Sequence, residues 1–218
     1  MIKIVNLSKN YQNTQVIKSL SLEIETGVQL SLQGSSGSGK STFLYLLGGI
    51  ERQTAGSIRV NNLVLENLSD EERASYRNLS VGFIFQFHFL LPSLTCLENI
   101  LLPARIAKKN IKNIQNYVTT LAHYVGVHHQ LEKYPHELSG GEQQRINLLR
   151  AISLKPDLIL ADEATGNLDS KNSDIVTSLL IELALESKST LIMVTHEEKI
   201  AKRFNHQLKI EDGKLILG

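Results

Sequence analysis

Cysteine is almost missing from the chain: Cys96 is the only one in 218 residues, so no intramolecular disulfide can staple the fold. Its apolar neighbours Leu94, Leu97 and Ile100 mark a buried, inert thiol and a reducing compartment. An excess of one charge is missing too. The 23 Lys and Arg balance 22 Asp and Glu to a formal charge of +1, which excludes a chain-wide field for nucleic acid or anionic lipid, and no nucleic-acid partner is expected. Long hydrophobic runs are absent: the longest, residues 43–50, falls far short of the ~20 apolar residues of a membrane-crossing helix. The first ten residues show no charged leader followed by an apolar core, so no export signal is read there. What remains is a chain with 42% hydrophobic residues, enough to bury a core without staples.

Alternation at Ile2, Ile4 and Leu7, and again at Leu20, Leu22 and Ile24, predicts half-buried strands. Residues 28–32 form an apolar run leading into a glycine-serine loop, and residues 40–47 follow at helical spacing, a strand-loop-helix unit. Another buried strand is predicted at 81–85. Helical periods with polar faces then occupy roughly 96–125 and 140–152. From 158 onward, apolar runs at 158–161 and 191–194 alternate with a helical stretch at 170–186, the pattern of a parallel sheet. Asp212-Gly213 predicts a hairpin between 208–210 and 215–217. The cluster Arg105, Lys108, Lys109 and Lys112 reads as a solvated helix face. The whole predicts an α/β core, residues 1–86 and 156–218, interrupted by a helical insertion at 87–155.

Gly34-Ser35-Ser36-Gly37-Ser38-Gly39-Lys40-Ser41 satisfies the P-loop pattern between a strand and a helix. The glycines let successive backbone N–H groups converge on phosphate oxygens, and the helix N-terminus favours the same anion. Lys40 suits the β and γ phosphates, and the Ser41 hydroxyl suits Mg²⁺. This motif alone leaves kinases, GTPases and motors open. Asp162 and Glu163 end the strand at 158–161, where ligands of open α/β sheets bind. Asp162 is expected to hold Mg²⁺ beside Ser41, and Glu163 to polarise the water attacking the γ phosphate. A second glycine-rich turn opens a helix at Leu138-Ser139-Gly140-Gly141-Glu142-Gln143-Gln144-Arg145. Ser139 and Glu142 alone could be a capping box, but two glycines in a first helical turn are costly and suggest close approach to a ligand.

Residues 139–145 resemble the signature sequence of the ATP-binding cassette (ABC) ATPases, and further family motifs follow in order along essentially the whole chain. The resemblance implies an α/β P-loop NTPase (RecA-like) core with an antiparallel β subdomain and an inserted α-helical subdomain, the ABC ATPase fold. It implies that Tyr11 stacks on adenine and that Thr42 follows Ser41 in the phosphate site. Gln86 would sense Mg²⁺ and the attacking water, Asn167-Leu168-Asp169 would cross between subunits, and His196 would contact the γ phosphate. The activity implied is hydrolysis of ATP with Mg²⁺ by a homodimer, in which ATP on one P-loop is capped by Ser139, Gly140, Gly141 and Glu142 of the second copy. One P-loop beside two phosphate nests also favours a shared site on its own terms.

Residues 46–50, 82–92, 97–100 and 165–169 resemble the branch containing Lol-type lipoprotein-releasing ATPases, macrolide and peptide exporters and the cell-division cassette, with the Lol type favoured by residues 85–92. That implies a peripheral subunit on the cytoplasmic face of a bacterial inner membrane, energising permease subunits docked on the Gln86 to Pro103 region. Phe85, Phe87, Phe89, Leu90 and Leu91 are too many apolar groups for a free loop. Ala164 departs from the proline usual in the branch, and Phe89 from a second histidine common in the Lol type. Repair and translation cassettes, with coiled-coil insertions or two cassettes per chain, fit less well.

Overall fold

The computed structural model describes residues 1–216, so Leu217, at the end of the predicted hairpin, lies outside the described residues. Two sheets result. The first is antiparallel, in the order β2-β1-β4-β5, from β1 (Ile2–Tyr11), β2 (Thr14–Ile24), β4 (Ala55–Val60) and β5 (Leu63–Val64). In β1 the buried residues are Ile2, Ile4 and Leu7, the half-buried alternation of a sheet with one wet face.

The second sheet has the order β10-β9-β3-β8-β7-β6, comprising β3 (Gln29–Gln33), β6 (Val81–Phe85), β7 (Leu158–Asp162), β8 (Thr190–Val194), β9 (His206–Glu211) and β10 (Lys214–Ile216). Strands β9, β3, β8, β7 and β6 run parallel, and β10 is antiparallel to β9. Every residue of β7 and β8 is buried, because helices cover one face and the antiparallel sheet with α1 covers the other. Alternate residues serve different cores. Ile159, Ala161, Leu191 and Met193 join a cluster built with the helices, whereas Leu158, Leu160, Ile192 and Val194 join one built with the antiparallel sheet and α1 (Lys40–Leu47).

The helices are α2 (Asp70–Leu79), α3 (Cys96–Ile106), α4 (Ile111–Tyr124), α5 (Gly140–Ile152), α6 (Ser170–Ser187) and α7 (Glu198–Ala201), besides α1. The single helical stretch predicted over 96–125 is two helices, because Lys108 takes a left-handed φ of 52° and Asn110 caps α4. Thr95 and Glu98 cap α3 reciprocally, as Ser69 and Glu72 cap α2. Cys96 is fully buried, and burial raises its thiol to about 11, which makes it inert as expected. Arg105, Lys108, Lys109 and Lys112 are exposed. Among the described residues no helix is long and apolar enough to cross a membrane.

Candidate active site

Strand order brings the motifs together. Moving along the sheet through β3, β8, β7 and β6, the C-terminal ends carry the P-loop, then His196, then Asp162 and Glu163, then Gln86. Four segments far apart in sequence thus share one edge, the usual place for ligands of open parallel sheets.

Gly39 caps α1 with a left-handed φ of 104°, which turns the loop into the helix and leaves the first backbone N–H groups free for an anion. Lys40 is buried, and its ammonium donates to the carbonyls of Gly34 at 2.9 Å and Ser35 at 2.8 Å. Burial lowers its pKa below the usual lysine value, while the charges of Glu163 and Asp162 act in the opposite direction. A cleft of about 300 Å³ lies over this loop, lined by Ser36, Gly37, Lys40 and Thr42 together with Glu163 and His196. Ser38 Oγ is buried without a protein partner, beside Gly34.

Asp162 accepts from Ser41 Oγ through Oδ1 at 3.1 Å and from the Tyr45 hydroxyl through Oδ2 at 3.2 Å. Burial raises its carboxyl above the ordinary range, and the two hydrogen bonds oppose that rise. Tyr45 is itself raised to about 12, by burial first and then by the Asp162 charge. No cluster of three or more His, Cys, Asp or Glu among the described residues could hold a metal alone. Ser41 and Asp162 do suit Mg²⁺, which takes a few hard oxygen ligands from protein and the rest from phosphate and water.

Glu163 has a left-handed φ of 49°, an uncommon conformation for a side-chain-bearing residue and one concentrated at active sites. Its carboxylate lies 2.5 Å from His196 Nε2. Gln86 lines a cavity together with Ser41, Asp162 and Glu163, where its amide donates to Asn167 Oδ1 at 3.1 Å and Asn167 Nδ2 donates to the Gln86 carbonyl at 3.3 Å. Ala164 is buried, with its carbonyl accepting from Gln144 at 2.5 Å, which anchors this backbone.

Ser139 and Glu142 line none of the three cavities at this edge. The Glu142 carboxylate accepts from the Ser139 N–H at 2.9 Å and hydroxyl at 2.6 Å, and these bonds hold it below the usual carboxylate range. A Cβ on Gly140 would meet nothing nearer than Leu168 at 3.9 Å, whereas one on Gly141 would collide with the Asn172 side chain. Asp169 caps α6 through the Asn172 N–H at 2.9 Å. Tyr11 is 40% exposed, with the Lys9 ammonium 4.7 Å from its ring centre, and lines none of these cavities.

Two participants escaped the motif reading. Val16 lines the P-loop cleft from β2, which no local pattern signals. Tyr45 stands four residues after Ser41 on α1, and that helical spacing places both side chains on one face, the signal that finds it. Beyond Gln86, Arg150 of α5 donates to the carbonyls of His88 and Phe89 at 2.8 Å each, and buried Asn99 bonds both the N–H and the carbonyl of Leu91. Held from below, the segment presents Phe87 and Phe89 outward, each 63% exposed.

A family model described as ABC transporter matches residues 17–166. The lipoprotein-releasing system ATP-binding protein LolD of Hydrogenovibrio crunogenus is 40% identical over 216 residues, covering 97% of this chain and 94% of that protein. The fold is similar to the dimeric structure of MJ0796, a bacterial ABC transporter cassette, with a TM-score of 0.90, 32% identity and coverage of 100% and 97% of the two chains. The same cassette in a dimeric post-hydrolysis state bound to ADP and Pi matches with a TM-score of 0.88. The cbiO1 protein of Clostridium perfringens, part of the ABC transporter complex cbiONQ, matches with a TM-score of 0.89 at 26% identity, over 99% of this chain and 86% of that one.

Proposed function

The chain belongs to the ABC transporter family of ATP-binding cassettes, and on that premise we propose that it is the ATP-hydrolysing subunit that drives lipoprotein release through a separate membrane complex. The observation that carries the catalytic part is the meeting of Glu163, His196, Lys40 and Ser41 around one cleft at the ends of β3, β8 and β7. In this reading residues 34–42 hold the phosphates, Tyr11 stacks on adenine, and Glu163 takes the proton of the attacking water. His196 orients Glu163 and meets the γ phosphate. Ser41 and Asp162 would hold Mg²⁺, with Gln86 lining the same cavity to sense it, and the cation would supply charge neutralisation on the phosphates. Residues 87–155 act as the helical subdomain.

Completion of the pocket falls to a second copy. The 139–142 turn lies off the P-loop cleft of its own chain, with open space at Gly140, which suits a turn that caps the nucleotide of a partner while Asp169 crosses beside it. MJ0796 is a dimer of this kind of cassette. The exposed Phe87 and Phe89, with Leu91, suit docking of an integral membrane subunit on the Gln86 to Pro103 region. The subunit would then sit peripherally on the cytoplasmic face of a bacterial inner membrane. Lipoprotein as cargo rests on the likeness to LolD.

Glu163→Gln tests the core of this reading. Turnover should fall about 10²- to 10⁴-fold with nucleotide binding retained. Sedimentation of the variant with Mg²⁺ and ATP should show dimers, and monomers at saturating nucleotide, alone and beside the permease, would refute the shared site.

A further inference from the structure

We propose that Tyr45 is a positioning residue for the divalent cation of the ATP site, its hydroxyl holding one oxygen of Asp162 so that the other stays aimed at Ser41. This rests on the reading of Ser41 and Asp162 as the cation-holding pair. A carboxylate turns about a broad, roughly two-fold torsion, so a single hydrogen bond leaves its plane free to swing. Asp162 is engaged at both oxygens, by Ser41 at 3.1 Å and Tyr45 at 3.2 Å, and both donors stand on the same face of one helix. The plane of the carboxylate is therefore set by α1 before any cation arrives.

The tyrosine is in turn fixed by aromatic packing. Its ring lies 6.1 Å from that of Phe83 and 6.4 Å from that of Phe85, which stack on each other at 4.8 Å. Both phenylalanines belong to β6, the strand paired with β7 in the register Phe85 to Asp162, so the rings that brace Tyr45 and the carboxylate that its hydroxyl holds are mounted on adjacent paired strands. Tyr45 does not line the cleft over the P-loop, where the phosphates would lie; it lines the neighbouring cavity beside Asp162. It therefore acts through Asp162 and not on the nucleotide. Outer partners of this kind commonly decide metal affinity by about tenfold or more.

The test is Mn²⁺ binding followed by electron paramagnetic resonance on the full chain with ADP, which needs no turnover. Tyr45→Phe keeps the ring and should weaken Mn²⁺ binding about tenfold, with a melting temperature lowered by no more than several degrees, as loss of one hydrogen bond allows, and unchanged affinity for fluorescent ADP in EDTA. A Tyr45→Phe affinity indistinguishable from the parent, while Asp162→Asn loses Mn²⁺, overturns the role of Tyr45 alone. If Asp162→Asn also binds Mn²⁺ as the parent does, the cation pair itself is misassigned and the inference falls with it. An equal loss of ADP affinity in EDTA would make Tyr45 a packing residue and overturn the proposal in that way.

Discussion

Asp162 shows how a single side chain is held at a thermodynamic disadvantage for the sake of its site. Burial puts its folded pKa above the unfolded value, so the folded chain holds that proton more tightly. Its contribution to stability is full below the ordinary aspartate pKa of about 4 and is lost as pH rises through the raised folded value. Asn at this position removes the titration. Without nucleotide or divalent cation, the melting temperature of Asp162→Asn minus that of the parent should grow as pH is raised from about 4 to about 7, by about 2–4 °C for each kcal/mol in a chain of this length. A difference that stays flat with pH contradicts the assignment. The position of Asp162 at the end of a buried strand was legible from the apolar run that precedes it. Its environment was not, since Tyr45 and Ser41 reach it from a helix more than a hundred residues earlier.

Elements were legible where the apolar period was strong. The glycine loop, α1, β6 and α5 follow directly from the residues, whereas β4, α2 and α7 carry weak signals. In α2 only Arg73 and Tyr76 are buried, so no apolar stripe marks it, although Ser69 and Glu72 form a capping signature. Tyr76 anchors α2 by donating to the Leu47 carbonyl at 2.8 Å, a partner that sequence proximity does not suggest. Gly82 makes the same point for a strand. Within β6 it reads as a weakness, yet a Cβ there would stand 2.5 Å from the Ala151 carbonyl oxygen and 3.1 Å from the Pro156 ring, because α5 passes directly over the strand. Gly82→Ala should cost about 1–3 kcal/mol through overpacking, read as a lowered urea midpoint with an unchanged slope. A midpoint equal to the parent's would mean that α5 can lift without penalty.

A molecule with one P-loop and a second glycine turn facing outward poses its question at the level of assembly. Gly140 has open space around it, so a longer side chain there should fit its own chain without strain. Gly140→Asp is therefore expected to melt with the parent and to bind ATP as a monomer, but to lose ATP-dependent dimers and hydrolysis, because an added carboxylate would face the phosphates of the partner's nucleotide. Lys40→Ala fails for the opposite reason, having lost the phosphate cation. Mixing these two inactive chains assembles one complete pocket per mixed dimer, and hydrolysis should reappear in the mixture. A mixture as inactive as its components would count against pockets shared between chains.

The chain order of its residues settled the chemistry available to this protein: a phosphate loop, a pair of carboxylates after an apolar strand, a second glycine turn, and neither staples nor a membrane-crossing run. These are local patterns, and each follows from the few residues that compose it. Which groups actually touch was decided by the fold. Strand β8 enters the sheet between β3 and β7, and that order, set by long-range pairing, puts His196 against Glu163 and Ser41 against Asp162. The same packing turned Gln86 toward Asn167 and left the 139–142 turn outside the cleft of its own chain, since hydrogen bonds and close approach depend on distances that no local spacing contains.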